Sequence, residues 1–225
     1  GMYGGNADGE ECVVGSVPAS FNVSGTGAAT YSVDVQLPQA LGGMSPKLSL
    51  VYNSQSANGL LGWSWDLSGI SSIERVGQTE YHDGKTTGVD FTNDRYVLDG
   101  QRLMSVGNNS YKTEIDNLDK IVSCLGTVNN PDHFIVWKAD GTIWEYGVTE
   151  DSKIEVQGNK NIVLKWLISR VTDRNGNTIT YHYYENNATG ESYIKDIEYA
   201  SKEYENVVPA YKVVFQFGNK NNKKN

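Results

Sequence analysis

Three histidines, His82, His133 and His182, are the side chains best able to act near neutral pH as base, acid or metal ligand. None stands in an H-E-x-x-H or C-x-x-C setting and no pairing has the spacing that closes around zinc, so no metal centre and no cofactor is expected. His82 lies between Glu80 and Asp83 at an Asp-Gly turn, a local trio that a hydrolase would need; the plainer reading is a solvated turn histidine. His182 sits between Tyr181 and Tyr183 in a strand-like run and reads as a hydrogen-bonded sheet residue.

The segment Asp173 to Thr178, "DRNGNT", spaces oxygen donors like a calcium loop, but its glycine falls two positions early and no bidentate glutamate follows. A type I′ hairpin turn at Asn175-Gly176 is expected there instead. The chain has no P-loop, no dinucleotide fingerprint and no G-x-S-x-G elbow. Its five tryptophans, Trp63, Trp65, Trp137, Trp144 and Trp166, and its 14 tyrosines would form a sugar-stacking platform if several shared one exposed surface. Side chains that large serve first as core, so packing is the preferred reading.

The elements that would position these residues read as strands. Runs of alternating or β-branched character occur at Tyr31 to Leu37, Leu48 to Tyr52, Ile121 to Val128, Phe134 to Trp137, Thr178 to Tyr184, Ile194 to Tyr199 and Tyr211 to Phe217. Val163 to Val171 reads as a further strand on weaker grounds. Asp83-Gly84, Asp99-Gly100, Asp140-Gly141 and Asn175-Gly176 punctuate the runs with residues that tolerate positive φ, as in tight hairpins. In "FIVWKADGTIWEYG", Phe134 and Val136 face one way and Ile135 and Trp137 the other. Apolar groups on both faces call for a sheet that is covered on both sides or lines an enclosed space.

Composition sets the bounds. The chain has 225 residues, 38% of them hydrophobic, and a formal charge of -8, which is too apolar for disorder and repels phosphate-rich partners such as nucleic acid. No apolar stretch approaches the roughly 20 residues of a membrane span. Gly1 ahead of Met2 reads as a cleavage scar, so the lack of a signal peptide carries no weight on export. Cys12 and Cys124 allow either one bridge or two free thiols. The organisation expected is a loose leader at 1–23, one β domain at 24–217 and a polar tail at 218–225.

The stretch from Gly42 to Arg75, "GGMSPKLSLVYNSQSANGLLGWSWDLSGISSIER", resembles the N-terminal signature of the SpvB-type domain family, which occurs in Salmonella virulence plasmid B protein, Tc insecticidal toxin B components and Rhs YD-repeat proteins. The matching positions are Gly43, Pro46, Leu48, Leu50, Tyr52, Asn53, Ser54, Asn58, Gly59, Gly62, Trp65, Leu67, Ile70, Ile73 and Arg75. Ser64 departs from the family's usual glycine. Later stretches are similar to the family's hairpins: Arg95 to Met104 with Asp99-Gly100, Val136 to Gly147 with Asp140-Gly141, and Trp166 to Tyr184 with Asn175, Gly176 and Asn177.

The resemblance implies an all-β fold of antiparallel hairpins in a large curved or layered sheet, part of a Rhs/Tc-like β-shell. It implies a non-catalytic structural domain of a secreted or surface bacterial toxin protein. Such a domain packs against downstream YD repeats or other toxin subunits and encloses or presents a C-terminal effector. The alternative function is a carbohydrate-binding surface module, with a glycan as partner.

Overall fold

The computed structural model describes residues 30–53, 65–78, 83–90, 94–115, 118–156, 159–186, 191–202 and 209–215. Among them the chain forms β1 (Thr30–Asp34), β2 (Ser49–Asn53), β3 (Trp65–Ser68), β4 (Ser72–Val76), β5 (Arg95–Leu98), β6 (Gln101–Gly107), β7 (Ser110–Thr113) and β8 (Lys120–Thr127). There follow β9 (Asn130–Trp137), β10 (Ile143–Tyr146), β11 (Lys153–Val156), β12 (Asn159–Thr172), β13 (Asn177–Asn186), β14 (Glu191–Lys202) and β15 (Tyr211–Val214). Two short 3-10 turns, Leu41–Gly43 and Glu150–Ser152, are the named helical pieces. The fold is all-β and antiparallel, as expected, and each run anticipated in the sequence lies in or overlaps a strand.

β1, β2 and β3 form a small sheet of their own. The remaining strands form one large sheet that closes on itself, because β10 pairs with β9 and also with β12. The ring runs β4-β5-β6-β7-β8-β9-β10-β12 and back to β4. β12 is the seam. Midway along, it pairs Lys165, Trp166 and Leu167 with Glu74, Ile73 and Ser72 of β4. Near its end it meets β10 and pairs Arg170, Val171 and Thr172 with Thr180, Ile179 and Thr178 of β13. Beyond the seam, β13, β14 and β15 continue as an open sheet.

The two-faced apolar pattern of β9 is realised. Phe134 and Val136 join the main core with Tyr96, Tyr111, Tyr146 and Trp166. Ile135 and Trp137 belong to a second buried cluster with Val122, Cys124 and Ile143. Cys124 is fully buried and disulfide-bonded, and among the described residues no cysteine is free. Cys12 lies outside the described residues.

The turns divide into two kinds. Asp99 and Gly100 both have positive φ, 46° and 83°, in a two-residue link between β5 and β6, the type I′ geometry expected. Asn108-Asn109, between β6 and β7, does the same at 51° and 58° without a glycine. The expectation of a type I′ turn at Asn175-Gly176 is corrected: Gly176 N donates to Asp173 O at 3.1 Å and only the glycine has positive φ. Asp140-Gly141 is built alike, with Gly141 N donating to Lys138 O at 3.1 Å. Both are type I turns followed by a glycine bulge. In each an aspartate Oδ1 captures later backbone N–H groups, from the first position of one turn and the third of the other: Asp173 accepts from Asn175 and Asn177, Asp140 from Thr142, each at 2.9 Å. At Asp83-Gly84 the aspartate is turned onto Arg95 and Arg102, and the described residues 83–90 form no strand.

Where β10 leaves the ring, a bulge falls between Glu145 and Tyr146, and Gly147 follows at φ 72° with its N–H donating to Leu167 O at 2.9 Å. A Cβ on Gly147 would press into Trp166 Cδ1. Gly147→Ala is therefore expected to lose about 2 kcal/mol or more from left-handed strain and overpacking, read as a lower urea midpoint. A midpoint within error of the parent's would refute this account of the seam.

Candidate functional site

The most elaborate polar constellation lies inside the ring and centres on Arg75. β4 carries it opposite Tyr96 of β5, and its side chain is fully shielded, as is that of Asp94, 0% and 2% exposed. Arg75 Nη1 pairs with Asp94 Oδ2 at 3.3 Å and donates to Asn129 O at 2.7 Å. Its Nε donates to Val163 O at 2.9 Å and its Nη2 to Asn130 Oδ1 at 3.2 Å. The guanidinium lies 5.7 Å from the ring centres of both Tyr96 and Trp166, within reach of a cation–π attraction. Phe134 completes the cage, edge-on to Trp166 at 4.9 Å and to Tyr96 at 5.4 Å.

The cage is tied to the ring's backbone. Tyr96 OH donates to Val128 O at 2.9 Å and Trp166 Nε1 to Asp132 O at 3.1 Å. Burial pushes the Tyr96 hydroxyl well above its usual range, so it stays a neutral donor. This arrangement fastens β4, the first half of β12, the β8–β9 turn and the approach to β5 to one cation. Arg75, the last position of the sequence signature, is thus a structural bolt.

Other signature residues hold turns. Asp99 Oδ1 accepts from Ser72 N at 2.8 Å, while Ser71 Oγ bridges Asp99 Oδ2 and the Tyr146 hydroxyl. Asn177 donates from Nδ2 to Asp173 Oδ2 at 2.9 Å, so that carboxylate accepts three N–H donors from its own turn. A Cβ on Gly42 would meet both Asp173 and Asn177, and one on Gly141 would meet Arg174. The Leu41–Gly43 turn and the two glycine-bulge turns therefore gather at one end. Gly43 has φ 74° and Pro46 is buried. Tyr52 pairs across the small sheet with Trp65, next to Asn53 at the end of β2. Asn58, Gly59 and Gly62 lie outside the described residues.

Of the three residues weighed for catalysis, only Asp83 falls among the described residues. His82 and Glu80 lie outside the described residues, and Asp83 is an ion-pair acceptor, 3.0 Å from Arg95 Nε and from Arg102 Nη2. Of the tryptophans, Trp137 and Trp166 are buried, and Trp144 is half-buried with the Lys138 ammonium 3.7 Å from its ring centre. Trp63 lies outside the described residues. Two clusters escape linear reading. Glu145 is buried and takes a two-pronged grip from Arg170, Nε to Oε2 at 2.6 Å and Nη2 to Oε1 at 3.3 Å. His182, Asp196 and Glu198 bring their donor atoms within 4.8 Å of one another. The signal for both is strand register, Glu145 opposite Arg170 and His182 opposite Asp196.

Asp132 accepts from His133 Nδ1 and from Lys153 Nζ, each at 2.7 Å, and these two donors lower its pKa from the usual 3.8 to about 2. A depressed carboxylate stabilises the fold above its unfolded pKa and loses that contribution as pH falls toward the folded value. The deficit of Asp132→Asn in urea midpoint is expected to be full at pH 6 and to have shrunk to a small part of that at pH 2; a deficit equal at both would contradict it. Arg75→Met leaves Asp94 buried without its counter-charge and is expected to cost about 3–5 kcal/mol by the same measurement. A loss below about 1 kcal/mol would show that Arg75 does not bolt the ring.

The sequence pattern of the family described as Salmonella virulence plasmid 65kDa B protein matches residues 23–225. No curated protein sequence matches. Among solved structures, the N-terminal domain of effector protein SpvB from Salmonella typhimurium strain LT2 is 19% identical with a TM-score of 0.58, covering 77% of this chain and 65% of that one. The TcdB2-TccC3-TEV structure is 18% identical at TM-score 0.64, over 85% of this chain and 11% of that one. The Photorhabdus luminescens Tc holotoxin pore is 18% identical at 0.59, over 82% and 10%. The chain thus spans about a tenth of the Tc chains it matches. These likenesses establish a shared fold, and with the buried arginine and the turns that its signature specifies, the chain belongs to the Salmonella virulence plasmid 65kDa B protein family.

Proposed function

We propose that this chain is a non-catalytic wall segment of a secreted or surface bacterial toxin protein. It begins a β-shell that packs against following YD repeats or toxin subunits and encloses or presents an effector. The observation that carries the reading is the last strand. β15 has one strand neighbour, β14, among the described residues, and its Tyr211 and Val214 are 38% and 57% exposed. An open edge of this kind receives another strand. Family membership and the fold shared with the TcdB2-TccC3 structures support placing that strand in a continuing toxin wall. Trp137 and Trp166 are buried and Trp144 is half-buried, which favours packing over a glycan platform at these three positions.

The test compares amide exchange in this chain alone with that in the longer polypeptide the reading requires. Amides of Tyr211–Val214 are expected to slow at least about tenfold in the longer protein. Equal rates, or a reading frame that stops soon after Asn225, would overturn the proposal.

A further inference from the structure

On the face of the open sheet opposite its apolar core, three strands converge on one cluster. β13 supplies His182, β14 supplies Asp196 directly opposite and Glu198 two residues on, and β15 supplies Lys212 opposite Glu198. His182 Nδ1 lies 2.6 Å from Asp196 Oδ1 and 3.9 Å from Glu198 Oε1. The Lys212 ammonium lies 3.9 Å from Asp196 Oδ2 and 3.7 Å from Glu198 Oε1. The Asp196 side chain is only 5% exposed, whereas His182 and Lys212 are 40% and 54% exposed.

We infer that His182, Asp196 and Glu198 form a binding site for a borderline divalent transition-metal ion, with the Lys212 ammonium standing in for that cation. Lys212 is a separate observation from the ligand set: its ammonium, carried on a third strand, already lies within 3.9 Å of both carboxylates. Tetrahedral coordination at about 2.0–2.2 Å separates ligand atoms by about 3.4 Å, which small rotations reach from the present spacing. One imidazole and two carboxylates are too few oxygens for calcium, which takes about six to eight, and suit zinc, cobalt or nickel. Coordination through Nδ1 moves the ring proton to Nε2 by way of solvent, swings Lys212 outward and leaves a fourth position for water. The ion would clip β13 to β14 beside the open edge.

The test titrates the metal-free 225-residue chain with Co²⁺ alone, followed by visible absorption, and with Zn²⁺ by calorimetry. One equivalent is expected, with a d–d band of low-coordinate cobalt. His182→Ala and Glu198→Gln should each weaken binding about tenfold or more, and Lys212→Met should strengthen it, all with unchanged circular dichroism. His82→Ala and His133→Gln serve as controls for ions held elsewhere. Binding that survives His182→Ala, binding that is lost with His82→Ala, or no saturable binding in either the parent or Lys212→Met would overturn the inference.

Discussion

The buried pairing of Arg75 with Asp94 is the constraint around which the ring is arranged. A charge withdrawn from water is tolerated only when its hydrogen-bonding capacity is met, and Arg75 meets it with four groups from three separate places in the chain. Any shift of β4, β12 or the β8–β9 turn would strand a donor in an aromatic cavity. Tyr96, Phe134 and Trp166 exclude water from the site, and that exclusion is what makes each partner obligatory. An aliphatic plug would fill the same space without fixing the strands in register.

β12 extends this specification to the rest of the molecule. Its middle residues complete the ring against β4, and its later residues hand the sheet on to β13. The handover is marked by glycine and aspartate: Gly147 lets the backbone pass close to Trp166, and Asp173 draws the β12–β13 link into a compact loop. Glu145 and Arg170 pin the same crossing from the buried side. One side of the seam is a closed object and the other an extendable one, a division that suits a wall more than an isolated globule.

Strand content and two-sided burial were legible in the sequence because both follow from local pattern. The alternation in Phe134 to Trp137 maps directly onto the two clusters. Turn chemistry was half legible: Asp99-Gly100 behaves as its residue types dictate, while Asn175-Gly176 yields to an aspartate two positions earlier. Ring closure could not be read, since nothing local tells β10 that its second neighbour is β12. The role of Arg75 was equally hidden, although its place in a family signature marked it. A lone arginine at the end of a strand reads as a surface charge until the strands around it are assembled. His182 and Asp196 likewise meet only through register.

The seam also dictates an order of events. Arg75 and its acceptor Val163 stand 88 residues apart, so the ring cannot shut until a long stretch of chain has been delivered. Strands β4 to β9 can zip as successive hairpins while they emerge, but the edge of β4 stays open until β12 arrives. Synthesis or translocation from the N-terminus would thus present a half-built sheet that latches late and all at once. The arginine bolt goes home with the last strand of the ring, coupling completion of the barrel to exposure of the edge from which the next part of the sheet grows.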